Sequence, residues 1–273
     1  MDPYLLIPIL LAVGLLAGFI AGLLGVGGGV LFTPVLFYLF VNAGVEQPVI
    51  WSVASGLACT FVAASSSSIR QYMQDNWFLR DGVLVGLFGA VGTWIGKQVT
   101  TSPYYQEEEF AVFFSLLLIY VAYSFVNRGR SSKHDKNMEY NTDALRVPVA
   151  AGVGLVGGVL ASLAGIGGGG AMVPLLHFVA KKPMHQAVST SSLAIIFISV
   201  AGWGQLALLD PISAGVSQYS TGFVDWGAAV PLFTAGFAGG ILGAWFSNKL
   251  SRRKLQIAFA ILALFVAANL LYE

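Results

Sequence analysis

Charge is what this chain has least of. Of its 273 residues only 10% are Asp, Glu, Lys or Arg, against about 25% in ordinary soluble domains. With 56% hydrophobic residues, the chain has too little polar surface to stay in water, which excludes a soluble globular enzyme. Cysteine is nearly absent as well. Cys59 stands alone, so a disulfide framework and a cysteine-based metal site are both excluded. His134, His177 and His185 do not fall at the spacing of metal ligands or of a nucleophile and its base. No pair of carboxylates sits inside an apolar segment, which argues against a proton relay or a carboxylate metal site. The net charge of +1 gives no footprint for nucleic acid. The opening "MDPYLLIPILL" lacks a basic start and reads as a retained membrane segment rather than a cleaved signal peptide.

Long apolar segments fill the space that charge leaves. They run near 4–24, 49–69, 81–100, 109–126, 147–164, 186–209, 226–248 and 255–272, and such stretches are membrane-helix candidates. Two shorter runs, 30–41 and 170–180, follow clusters of glycine. At ~1.5 Å per residue each makes a helix of about 18 Å, too short for a hydrocarbon core of roughly 30 Å. Each long–short pair is therefore read as a hairpin that returns to its own side. That choice gathers Arg70, Arg80, the linker 127–146, Lys181, Lys182 and the cluster Lys249 to Lys254 on one face, which the positive-inside rule makes cytoplasmic. Both termini then lie outside.

The polar linker "NRGRSSKHDKNMEYNTDALR" divides the chain into a first repeat, 1–126, and a second, 147–273. Gly25-Val26-Gly27-Gly28-Gly29 pairs with Gly165-Ile166-Gly167-Gly168-Gly169, and Pro34 with Pro174. "GAVGTW" at Gly89–Trp94 pairs with "GILGAW" at Gly240–Trp245, and "VASGL" aligns loosely with "VSTSS". The expected fold is an all-α polytopic membrane protein of two inverted-topology repeats. Each repeat has a glycine-rich broken, re-entrant hairpin plus three membrane helices.

Glycine is a poor helix residue, and here it recurs where helices break. Bare backbone at a helix end offers N–H groups to an anion, so Gly25, Gly27, Gly28, Gly29, Gly165, Gly167, Gly168 and Gly169 are candidate ligands. Tight helix packing is the alternative, and Gly14, Gly18, Gly22, Gly82, Gly86, Gly239 and Gly243 are assigned to it by their spacing. Among the hydroxyls, Ser55 and Thr190 align between the halves and are the candidate side-chain donors. Extending that alignment places Arg70 opposite Gln205. Arg70 is either an anion partner or a snorkelling cation, and Gln205 either a ligand or an interhelical hydrogen bonder. His177 reads as a packed histidine and Lys97 as a snorkelling one. "GVGLVG" at Gly152–Gly157 follows no strand and is no dinucleotide fingerprint.

"LLGVGGGVLFTPVL", "LAGIGGGGAMVPLL", "VDW" at Val224–Trp226 and "GAW" at Gly243–Trp245 together resemble the sulfite exporter TauE/SafE family. The resemblance runs over essentially the whole chain. It implies two repeated halves, no bound cofactor, and transport of small sulfur-containing anions such as sulfite or sulfoacetate. The chain departs from the family at Asn76–Arg80, which reads "NWFLR" in place of a first "VDW", and at Ala54–Leu57, which reads "ASGL". The expected partners are a small anion and the lipid bilayer. The sequence leaves the oligomeric state open, a homodimer included.

Overall fold

A computed structural model describes residues 3–24, 29–73, 78–130, 143–212, 214–247 and 252–272. Among the described residues the fold is all-α, with ten helices in two series of five. The first series is α1 (Pro3–Leu24), α2 (Gly29–Asn42), α3 (Pro48–Met73), α4 (Leu79–Thr100) and α5 (Glu107–Arg130). The second is α6 (Val147–Ala164), α7 (Gly169–Pro174), α8 (Met184–Ala207), α9 (Trp226–Ser247) and α10 (Arg252–Tyr272). A π-helical turn, Leu175–Val179, extends α7. A two-residue hairpin precedes α9, with β1 (Ser220–Thr221) paired antiparallel to β2 (Val224–Asp225). Gly222, at φ +53°, turns it.

Five helices among the described residues are long and apolar enough to cross a membrane: α3, α4, α6, α8 and the Trp226–Gly243 part of α9. Many of the large apolar side chains on α4, α5 and α10 face outward, Leu87, Val91, Leu116, Ile261 and Phe265 among them. A surface of that kind needs lipid rather than water. This is a multi-pass membrane protein.

Helix directions follow from which residues touch. Gly14 lies against Leu232 and Gly18 against Gly236, so α1 runs parallel to α9. Ser55 meets Asp225 and Cys59 meets Ala229, so α3 also runs parallel to α9. On the other side, Gly154 packs on Val85 and Gly158 on Gly89, while Gly82 meets Leu193 and Gly86 meets Phe197. Helices α6 and α8 are thus both parallel to α4. Two consecutive long helices can point the same way only if the chain runs back between them. The short α2, and α7 with its π turn, supply those returns. The second return closes on Asp81, whose Oδ1 accepts the Leu145 N–H at 3.0 Å while its Oδ2 lies 3.9 Å from Lys182 Nζ.

The halves meet along α3 and α8. Ser67 sits opposite Ser192 at one end of this seam, and Leu57 opposite Gly202 at the other. The two helices are therefore antiparallel. Glycine makes the outer crossings possible. A Cβ on Gly158 would sit 2.8 Å from the carbonyl carbon of Gly89, and one on Gly18 would sit 2.5 Å from the Gly236 Cα. Backbones this close leave no room for any side chain, as in small-residue membrane packing. Spacing had assigned Gly14, Gly18, Gly82, Gly86 and Gly239 to packing, and each meets a neighbouring helix.

Gly152 faces open space, with nothing within 4 Å of an added Cβ. Gly158→Leu should therefore lower the yield of folded, monodisperse protein in detergent and its thermal midpoint by several degrees. Gly152→Ala should leave both unchanged.

Candidate functional site

Helix α6 ends because Gly165 turns left-handed, at φ +69°, and its N–H closes the last turn on Ala161 O at 2.8 Å. Gly167 (φ +67°) and Gly168 (φ +75°) repeat that conformation, which costs other L residues about 1–2 kcal/mol apiece. Gly168 then starts α7, its carbonyl accepting Ala171 N–H at 3.1 Å and Met172 N–H at 2.8 Å. The N–H groups of Ile166, Gly167 and Gly168 find no acceptor among the described residues, although all three residues are buried. Orphaned buried N–H groups are rare in native proteins. Three in succession, in a loop with positive φ at Gly165, Gly167 and Gly168, resemble the backbone nests that can hold an anion.

The first half holds this loop in place. Thr33 of α2 donates its hydroxyl to Gly165 O at 3.0 Å, and the Thr60 hydroxyl of α3 lies 3.5 Å from the same oxygen. Thr60 is more firmly bonded to Gly56 O, one turn back, at 2.8 Å. A Cβ on Gly29 would come within 2.9 Å of Ile166 O, so the two glycine phrases touch. The contact lies midway along the seam, since Thr60 is the thirteenth of the 26 residues in α3. Gly25, Gly27 and Gly28 lie outside the described residues.

None of the side chains singled out in the sequence is seen at this contact among the described residues. Ser55 is buried, but its Oγ accepts the Asp225 N–H at 3.0 Å, some five residues from Thr60. Thr190 is buried with no partner for its hydroxyl. Gln205 donates to Thr93 Oγ1 at 3.1 Å, and its Oε1 is buried and unpaired. Arg70 is exposed near the end of α3, ten residues or about 15 Å along the axis from Thr60. Thr33 and Thr60 went unnoticed in the sequence. The signal for Thr33 was its place inside the phrase, directly before Pro34. Thr60 carried none beyond lying one turn after Gly56.

Two buried carboxylates mark the ends of the seam. Asp225 caps α9, accepting the Ala228 N–H at 3.1 Å and the Ser217 N–H at 2.9 Å, and it also accepts the Ser217 hydroxyl. Trp226 donates its indole N–H to Thr221 and stacks edge-on against Trp203. At the other end, Asp81 faces Lys182, whose ammonium donates to Asp143 O. His177 Nδ1 lies 2.8 Å from Lys182 O, the packed role expected of it. Among the described residues no group of three His, Cys, Asp or Glu side chains is assembled for a metal.

A family model for the sulfite exporter TauE/SafE matches residues 10–270. The chain belongs to that family. It is 26% identical to a probable membrane transporter protein of Bacillus subtilis over 97% of each chain. It is 29% identical to one of Haemophilus influenzae, over 95% of this chain and 96% of that one. A third, from Methanocaldococcus jannaschii, is 26% identical over 93% of this chain and 91% of its own. No solved structure matches. The protein is a membrane transporter of the TauE/SafE family and not an enzyme. In that light "VDW" has a structural task here: its Asp caps α9 and its backbone joins Ser55 of the first half.

The Thr33 bond should be separable from side-chain bulk. Thr33→Val leaves the Gly165 carbonyl with only the long Thr60 contact, and an under-satisfied buried acceptor costs about 1–3 kcal/mol. We expect Thr33→Val to lower the thermal midpoint clearly and Thr33→Ser to recover most of the loss, as read in detergent by differential scanning fluorimetry.

Proposed function

We propose that this transporter exports a small sulfur-containing anion, sulfite or an organosulfonate such as sulfoacetate, across the cell membrane by alternating access. The working parts are two inverted repeats, residues 1–126 and 147–273, joined by a cytoplasmic linker, 127–146. Each repeat contributes a re-entrant hairpin, and the anion binds where the two glycine phrases meet. The antiparallel run of the equivalent helices α3 and α8 supports the inversion. The matching parallel triplets α1, α3, α9 and α6, α8, α4 support it too.

One observation carries the reading: three buried N–H groups at Ile166–Gly168, without an acceptor among the described residues, beside the middle of α3. Neutral donors fixed in a water-poor place bind an oxyanion without a permanent positive charge. Among the described residues, those nearest the break include Thr33, Val53, Thr60, Ile195 and Ser199, and none of these side chains ionises near neutral pH. On this reading the anion crosses with its charge uncompensated. With the inside negative, each charge leaving gains ~2.3 kcal/mol per 100 mV, which drives export without a coupling ion.

Stabilisation of the purified protein by sulfite, sulfoacetate, sulfolactate, taurine, sulfate, acetate and chloride tests the site. A ligand at 100 times its Kd adds about 2.7 kcal/mol. We expect a selective shift with sulfite or a sulfonate. Acetate acting alone would move the reading to a carboxylate, and no response at millimolar levels would remove it.

Uncompensated charge gives a second expected outcome. In proteoliposomes loaded with sulfite, a potassium–valinomycin potential negative inside should speed efflux, and reversing its sign should slow it. Equal rates at both signs would mean that another ion travels with the substrate.

A further inference from the structure

Sequence comparison between the halves drew attention to Thr190 on α8, yet the hydroxyl next to the glycine break belongs to Ser199. Its Oγ is fully buried and has no hydrogen-bond partner among the described residues. It lies 3.2 Å from where a Cβ on Gly167 would stand. The other two groups crowding that position are methyls, Thr60 Cγ2 at 2.6 Å and Ile195 Cγ2 at 2.7 Å. Ser199 is thus the one polar side chain on the α8 flank of the loop whose N–H groups are themselves unpaired.

A buried serine hydroxyl in a membrane helix has an easy local partner, the carbonyl one turn back. Ser52, Ser65 and Ser192 all take it, at 2.6, 2.8 and 2.9 Å. Ser199 does not, although Ile195 provides that carbonyl in the same helix. An unmade hydrogen bond of this kind destabilises the resting protein, and a donor held ready for a ligand accounts for it.

We propose that Ser199 is a substrate-contacting, specificity-determining residue, its hydroxyl completing a four-donor cradle with the N–H groups of Ile166, Gly167 and Gly168. This rests on the anion-binding reading of the break. Four neutral donors suit an oxyanion head that carries three acceptor oxygens, as sulfite and sulfonates do, better than a planar carboxylate with two. The Thr60 and Ile195 methyls crowd the Cβ side of Gly167, so a substituent on sulfur must point away from α8.

Ser199→Ala separates ligand contact from structure, with two readouts on the full-length protein in detergent. Without ligand, deleting an unpaired buried hydroxyl should leave the thermal midpoint unchanged or raise it. With sulfite and sulfoacetate titrated separately, the Kd should rise roughly tenfold, the value of one hydrogen bond to a charged group. Wild type stabilised by these anions with Ser199→Ala binding them equally well would overturn the Ser199 assignment and leave the site reading standing. A lower ligand-free midpoint with unchanged Kd would make Ser199 a structural residue and overturn the proposal as well. If neither anion stabilises the wild type, the anion site itself fails and Ser199 with it.

Discussion

Backbone that leaves a helix inside a membrane must find new hydrogen-bond partners, because lipid offers none. This structure depends on meeting that demand where α6 stops and α7 begins. The carbonyl of Gly165 is taken by a threonine from the other half, Thr33, and Gly168 O is taken by the new helix. The N–H groups and carbonyls of Ile166 and Gly167, and the N–H of Gly168, find no partner among the described residues.

The same demand explains why glycine is spread so unevenly between tasks. At 165, 167 and 168 it is needed for positive φ. At 18, 92, 154 and 158 it is needed because another helix backbone occupies the place of a side chain. These close crossings, α1 on α9 and α6 on α4, join helices from different halves. Each half thus clasps the other along two glycine-lined seams, with the α3–α8 seam between them. Packing of this kind holds by van der Waals fit and not by burial from water.

Much of this was legible in the sequence, for a physical reason. Membrane helices are marked by composition alone, so the eight long apolar segments fall on the observed helices within a few residues, and the two short runs correspond to α2 and to α7 with its π turn. Internal repetition let weak signals reinforce each other: Gly165 to Gly169 stood out because Gly25 to Gly29 says the same thing. Side-chain roles were less legible. Arg70 drew notice as a cation ending an apolar segment, yet the end of a helix is what takes it away from the middle of the seam. Ser55 and Thr190 were favoured by alignment, but neither is seen at the break among the described residues. Ser55 is used by Asp225 instead. Thr33, Thr60 and Ser199 contact the break through tertiary packing, which no periodicity in one helix reveals. The β hairpin before α9 was missed because two-residue strands leave no alternating pattern.

The two ends of the α3–α8 seam are closed by different chemistry, and that bears on how they open. At the Ser55 end the closure is a capped helix: Asp225 is fully buried, its carboxylate bonds to Ser217 and Ala228 of its own half, and its N–H crosses to Ser55. Parting the halves there breaks one neutral hydrogen bond. At the Ser67 end, Asp81 of the first half faces Lys182 of the second and also takes the Leu145 N–H at the close of the linker. Parting the halves there separates two buried charges, each of which then needs water or a new partner. The second opening is the harder of the two unless Lys182, Asp143 and Leu145 move together with Asp81 as one body. The pairing of α6 and α8 with α4 along their lengths favours that joint motion. Under the alternating access proposed above, the sliding surface would then lie between the α1–α3–α9 group and the α4–α6–α8 group, with the glycine break and Ser199 on one bank and Thr33 and Thr60 on the other.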